Sequence, residues 1–305
     1  MKLVPRILGA TLGLMLASAG VAAGAPTASP VFSGPPGKFA WAELLASGHP
    51  ADAAPFYTEV FGWRAEIVGA GYDARVTFYL ADRPVAGVVH RQAERPGPPR
   101  TRWVPSFAVE DLDATLESAR ARQGIVLATR APSARDGEAR AILADPEGAI
   151  FGLVPTSPGT GEEYAADPGE WVWPLLLSRR PDETVNFYRD VLGHTVHPET
   201  RTPLFTGDFV LADGPRARAG AMALPRGSPG RPAWLGLVRV ADLEATVNTI
   251  RALGGDILRE PTEDLIGGRV AVASDPFGGV FGLVQLTAAA GPSAPGPTRT
   301  VRLRP

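Results

Sequence analysis

Few residues in this chain have both the type and the spacing to do chemistry. His194 and His197 form an H-x-x-H pair, the only close spacing among four histidines. The pair follows Gly193, which ends a helical pattern, and enters a strand, where this spacing sends the side chains to opposite faces. Glu199 shares a face with only one of them and Pro198 interrupts the strand, so the pair reads as an exposed turn rather than a metal site. His49 falls in a loop and His90 ends a strand, and both read as surface residues. The remaining candidate is Glu43, two residues after Trp41 in an alternating apolar run. An indole beside one carboxylate could hold a cationic or aromatic ligand by stacking and charge. The same pair could also fill a core, with the carboxylate reaching solvent at the rim.

Composition excludes several other chemistries. The 305 residues contain no cysteine, so disulfides, thiolate metal sites and cysteine nucleophiles are absent. A formal net charge of −2 provides no basic footprint for nucleic acid. No G-x-S-x-G or P-loop occurs, and GAGYDA from Gly69 leads into a strand, so it reads as a turn. Lys2 and Arg6 precede an apolar run from Ile7 to Ala17 that is too short to span a bilayer comfortably. Ala17-Ser18-Ala19 or Val21-Ala22-Ala23 would suit a signal peptidase. Residues 1–23 are therefore expected to be a signal peptide and residues 24–38 a flexible spacer. The mature protein is expected in the periplasm or outside the cell, away from the membrane.

The elements that must position these residues come in echoes. PFYTEVFGW from Pro55 matches NFYRDVLGH from Asn186. WVPSFAVEDLDATLESARARQG from Trp103 matches WLGLVRVADLEATVNTIRALGG from Trp234. DPEGAIFGLVP from Asp145 matches DPFGGVFGLVQ from Asp275. Order and offset are kept, so a whole domain is duplicated. The first copy is expected over residues 39–155 and the second over 171–287, with a linker at 156–170 and a disordered tail at 288–305. Within the first copy, Phe39 to Ala46 reads as a strand. A helix follows from near Asp52 to Gly62, then strands at Trp63 to Val68, Arg75 to Leu80 and Val85 to His90. The pattern restarts at Val104 to Val109, with Asp111 as a helix cap, and the second copy repeats it with Pro181 opening one helix and Asp242 capping the other. The fold class is α+β: tandem βαβββ units, four in all.

Strand, F-Y-x-x-V-[FL]-G helix, three strands and a closing D-P-x-G strand together resemble the vicinal oxygen chelate superfamily, which includes glyoxalase I, extradiol dioxygenases and bleomycin-resistance proteins. The resemblance implies two cup-shaped domains, each a pair of units with helices outside. In the metal enzymes of that family, side chains inside the cup bind a divalent ion. The resemblance places those ligand positions here at Trp41 and Trp173 on the opening strands, Val104 and Leu235 on the restart strands, and Gly152 and Gly282 on the closing strands. None offers a side-chain lone pair to bind a metal, so neither a metal nor another cofactor is expected, and no residue is assigned to catalysis.

Strand alternation then supplies the binding candidates. Trp41, Glu43 and Ser106 are expected to face the first cup, and Trp173, Leu175, Leu235, Leu237 and Arg239 the second. Leu44, Phe107 and Val109 belong to the helix side. Three functions remain open: sequestration of a small organic ligand in one or both cups, a lyase, isomerase or dioxygenase with an unusual site and Glu43 as base, or a structural role with filled cups. The two domains are expected to pair within the chain or to form a homodimer.

Overall fold

The strands form as their alternation requires. The structure is a computed structural model, and it describes residues 35–91, 101–131, 139–156, 166–198, 207–224, 227, 230–263 and 268–286. The expected signal peptide, Glu199 and the expected C-terminal tail all lie outside the described residues. The first copy comprises β1 (Phe39–Ala46), α1 (Ala54–Phe61), β2 (Arg64–Val68), β3 (Arg75–Leu80) and β4 (Arg83–His90). It continues with β5 (Arg102–Val109), α2 (Leu112–Ala121), β6 (Ile125–Arg130), β7 (Arg140–Ala144) and β8 (Ile150–Pro155). The second copy opens with β9 (Trp171–Ser178), α3 (Pro181–Leu192), β10 (Thr195–Pro198), β11 (Phe209–Asp213) and β12 (Arg216–Ala223). It closes with β13 (Ala233–Arg239), α4 (Leu243–Ala252), β14 (Asp256–Glu263), β15 (Gly268–Ser274) and β16 (Val280–Leu286).

Each copy forms one eight-stranded sheet, in the orders β2-β3-β4-β1-β5-β8-β7-β6 and β10-β11-β12-β9-β13-β16-β15-β14. The two units of a copy meet where β1 pairs antiparallel with β5, and β9 with β13. Local chemistry sets the helix boundaries. Gly62 and Gly193 end α1 and α3 in the left-handed conformation that glycine adopts without penalty. The side chains of Asp111 and Asp242 accept the backbone N–H groups of Ala114 and Ala245. Pro50–Ala53 forms a 3-10 turn ahead of α1, so the helical path begins slightly before the expected Asp52, while the α-helix begins at Ala54.

The helix-side cores are shared between the copies. One buries Leu44, Tyr57, Trp63 and Phe78 of the first unit with Val247, Ile250 and Phe281 of the fourth. The other buries Phe107, Leu116 and Phe151 of the second unit with Leu176, Tyr188 and Leu211 of the third. Matching hydrogen bonds tie these cores across the molecule. Tyr57 donates to Asp275 Oδ2 at 2.7 Å and accepts from Trp103 Nε1 at 2.8 Å. Tyr188 donates to Asp145 Oδ2 at 2.9 Å and accepts from Trp234 Nε1 at 2.8 Å. The tyrosine of each F-Y motif is thus held by the aspartate of the other copy's D-P-x-G turn. Burial pushes both carboxyls above their ordinary range, partly offset by the hydrogen bonds they accept from the tyrosines and from turn N–H groups.

A second matched pair distinguishes the copies. Trp63 Nε1 donates to the Gly169 carbonyl at 2.7 Å, at the entry to β9. His194, its counterpart after the helix-ending glycine, places Nε2 2.9 Å from the Gly37 carbonyl, at the entry to β1. His194 is only 2% exposed, which corrects its reading as an exposed turn residue. Burial lowers its pKa, assisted by the Arg218 charge and opposed by the Gly37 carbonyl and the Asp213 charge. His197 remains exposed, so the two rings of the H-x-x-H do not converge.

Candidate ligand cups

The sheet faces opposite the helices hold the candidate residues. In the first cup Trp41, Glu43, Val104 and Ser106 alternate with Ala42, Leu44, Trp103 and Phe107, which enter the helix-side cores or pack toward them. Trp41 is 5% and Glu43 8% exposed. Sequence reasoning missed their partner. Arg140 on β7 places Nη1 3.5 Å from Glu43 Oε1, and its guanidinium carbon lies 5.5 Å from the centroid of the Trp41 ring. The alternation of Arg140 and Ile142 with the core residues Ala141 and Leu143 was the available signal. Because Glu43 is engaged by an arginine, the cup does not present a bare carboxylate for a cationic ligand.

The indole of Trp41 lies across β4, where a Cβ on Gly87 would be 2.8 Å from Cζ2. Ser106 leans over β8 in the same manner. A Cβ on Gly152 would sit 2.1 Å from Ser106 Oγ, and a Cβ on Gly282 would sit 2.7 Å from Leu237 Cγ. Both closing-strand glycines are therefore required by a close side-chain approach from the neighbouring strand.

The second cup has another character. Leu175, Leu235, Leu237, Val270 and Val284 form its apolar floor. Partly exposed Trp173, Leu177, Val210, Met222 and Val272 pack around them. Register aligns the two cups residue by residue: Glu43 pairs with Gly87 on one side and Val104 on the other, and Leu175 pairs with Gly220 and Leu235 in the same way. Leu175 and Val270 thus take the places of Glu43 and Arg140. Arg239 lies on the cup-facing edge of β13, but its guanidinium donates to the Ala166 carbonyl, at the entry to the second copy. The other histidines are elsewhere: exposed His49 and half-buried His90 flank Tyr72 with ring centroids 4.3 and 4.5 Å away.

A family model described as the Glyoxalase/Bleomycin resistance protein/Dioxygenase superfamily matches residues 38–153 and 172–283. The chain belongs to that superfamily. It is 33% identical over 264 residues to the anthracycline biosynthesis protein DauV of Streptomyces sp. (strain C5), covering 82% of this chain and 94% of that protein. It is 30% identical over 252 residues to the putative glyoxylase CFP32 of Mycobacterium tuberculosis (strain CDC 1551 / Oshkosh), covering 80% and 93%. Among solved structures, the Mn(II)-bound glyoxalase from Novosphingobium aromaticivorans superposes with a TM-score of 0.53 at 20% identity, covering 80% of each chain. The 2,3-dioxygenase LapB from Pseudomonas sp. KL28 gives 0.51 at 15% identity, covering 86% of this chain and 97% of that one. At these identities the structural likeness establishes the fold alone.

Membership raises the question of a metal, and the superfamily's ligand positions do not fit one here. They carry glycine, valine, leucine and tryptophan, which lack donors for a divalent ion. The space a ligand side chain on β8 or β16 would need is taken by Ser106 or Leu237. Glu43, the carboxylate on the central strand of the first cup, is held by Arg140. Among the described residues, no three His, Cys, Asp or Glu side chains cluster so as to hold an ion.

Proposed function

We propose that the chain is an exported binding protein of this superfamily that sequesters a small organic molecule in its cups without a metal, and that the second cup takes an uncharged aromatic compound. The observation that carries this reading is the lining of the second cup. An indole, a thioether and branched aliphatic side chains stand partly exposed over a buried apolar floor. Such a face gains by covering itself with a flat apolar ligand, at roughly 25 cal/mol per Å² buried. Met222 adds an adaptable surface for an aromatic ring. The name of the Streptomyces relative, an anthracycline biosynthesis protein, supports an aromatic ligand. Metal-free binding is supported by the donor chemistry of the six positions, and the engagement of Glu43 by Arg140 weakens the case for Glu43 as a general base.

The test is titration of the mature protein with 2-acetylnaphthalene and related neutral aromatics, followed by calorimetry. Saturable binding is expected, unchanged by EDTA and weakened at least tenfold, or about 1.4 kcal/mol, by Leu175→Glu or Trp173→Ala. Binding that needs an added divalent ion, or no saturable binding across the panel, would overturn the reading. Export is tested separately, by N-terminal sequencing of protein recovered outside the cytoplasm; a mature chain beginning near residue 20 or 24 is expected, and an intact Met1 would refute cleavage.

A further inference from the structure

The first cup differs from the second in charge as well as in packing. Arg75, Arg102 and Arg140 lie on its face of β3, β5 and β7, because Val76, Trp103 and Ala141 beside them enter the helix-side cores, and Glu66 of β2 shares that face with Arg64 3.8 Å away. In matched register the second copy has Asp208, Ala233 and Val270. Glu43 is the carboxylate on the central strand of this face, and Arg140 holds it at 3.5 Å. That is longer than a well-formed guanidinium–carboxylate contact of about 2.8 Å. The same guanidinium covers the Trp41 indole.

We infer that the first cup binds an aromatic carboxylate, with the ligand's carboxylate replacing Glu43 at Arg140 and its ring taking the face of Trp41 that the guanidinium uncovers. This rests on the reading that the cups bind small organic molecules, and it assigns the first cup a ligand class different from that of the second. All three arginines already make interactions within the chain, so the ligand enters by exchange. Arg102 and Arg75 sit one and two strands from Leu45 in a single row, and their charges favour an anion over its neutral isostere. Glu43 acts as an internal competitor. It holds Arg140 over the indole until a better-placed carboxylate arrives, which selects against neutral aromatics in this cup.

The experiment compares 2-naphthoate with 2-acetylnaphthalene, its neutral near-isostere, on the full mature chain by calorimetry. Naphthoate is expected to occupy a site that the ketone does not, with affinity falling as salt rises. Arg140→Met should weaken that site at least tenfold, about 1.4 kcal/mol, and Arg102→Met should weaken it by a smaller factor. Glu43→Gln should strengthen it by removing the competing charge. Ketone binding in the second cup should be untouched by all three variants, which also reports that they remain folded. Naphthoate that binds no differently from the ketone, or that is indifferent to Arg140→Met in a variant still binding the ketone, would overturn the inference and leave the second-cup reading standing. A chain that binds naphthoate through Arg140 and never binds the ketone would support the inference and sink that reading.

Discussion

The two copies of this domain share a frame and differ in what fills it. Each sheet has the same strand order, each F-Y tyrosine bonds the aspartate of the other copy, and each closing strand carries a glycine under a neighbour's side chain. Yet one cup holds an arginine–glutamate pair over an indole, and the other a floor of leucine and valine. The tyrosine–aspartate crossings that hold the copies together are duplicated, as is the cup-facing indole of Trp41 and Trp173, while Glu43 and Arg140 are replaced by Leu175 and Val270. Cup chemistry is therefore separable from fold, as expected where function lives in sites carried on a scaffold.

The largest expected difference lies at Trp63 and His194, which seal the two equivalent ends of the frame. Trp63 is fully buried among Tyr57, Phe61 and Phe78 and donates to Gly169. Trp63→Ala should cost about 3–5 kcal/mol in urea unfolding, and His194→Ala about 1–2 kcal/mol. Equal losses would break the claim that the first end is the better packed. The ends also differ in pH response. The free imidazole titrates near 6.5 and the folded one below that, so the folded state binds fewer protons. Its contribution is complete above pH 6.5 and lost as pH falls through the lower folded value. His194→Gln, which can still donate to the Gly37 carbonyl, should flatten that stretch of the stability profile. Asp145 and Asp275, with raised values, act in the opposite sense: their protonated forms favour folding, and that contribution is lost as pH rises through their folded values.

The cup difference can be exchanged directly. Arg140→Val leaves Glu43 buried without its guanidinium and should destabilise by about 2–3 kcal/mol, discounted from a fully buried pair because both side chains keep some exposure. Glu43→Leu combined with Arg140→Val installs the second copy's pair and should recover most of that loss. A double variant as unstable as the single would mean that the ion pair supports the first cup in a way the apolar pair cannot.

Much of the frame was legible in the sequence, because local rules dictate it. β1 and β3 fall on the expected residues, and Asp111, Asp242, Pro181, Gly62 and Gly193 act at the helix ends as their chemistry requires. Strand alternation also placed Trp41, Glu43 and Ser106 on one face of the sheet and Leu44 and Phe107 on the other. Contacts closed by tertiary folding were not legible. Arg140 reaches Glu43 across 97 positions, and Tyr57 reaches Asp275 across 218. His194 read as a surface turn because its burial depends on Gly37, 157 positions away. Periodicity assigns a face to a side chain, but it does not say what stands opposite.

The tyrosine crossings test the shared part of the comparison. Tyr57→Phe removes a hydroxyl that donates to Asp275 and accepts from Trp103, leaving both buried groups without that partner. Tyr188→Phe does the same to Asp145 and Trp234. Each should cost about 2 kcal/mol, and the two losses should agree within about 0.5 kcal/mol if the crossings are equivalent. A larger gap would show that the symmetry of the hydrogen bonds is not a symmetry of energy.

The smallest effect concerns the turns after α2 and α4. Gln123 holds a positive φ of 66°, where the second copy places Gly254 at 82°. A side chain in the left-handed region costs about 1 kcal/mol relative to glycine. Gln123→Gly should therefore stabilise the chain by up to about 1 kcal/mol, less what the glycine adds to the entropy of the unfolded chain. Gly254→Gln should destabilise it by a similar amount. Matched urea midpoints for the two variants, shifted in opposite directions, would show that the duplicated turn tolerates the glutamine in one copy at a measurable cost. Loss of stability on Gln123→Gly would instead mean that the glutamine side chain contributes more than its backbone strain removes.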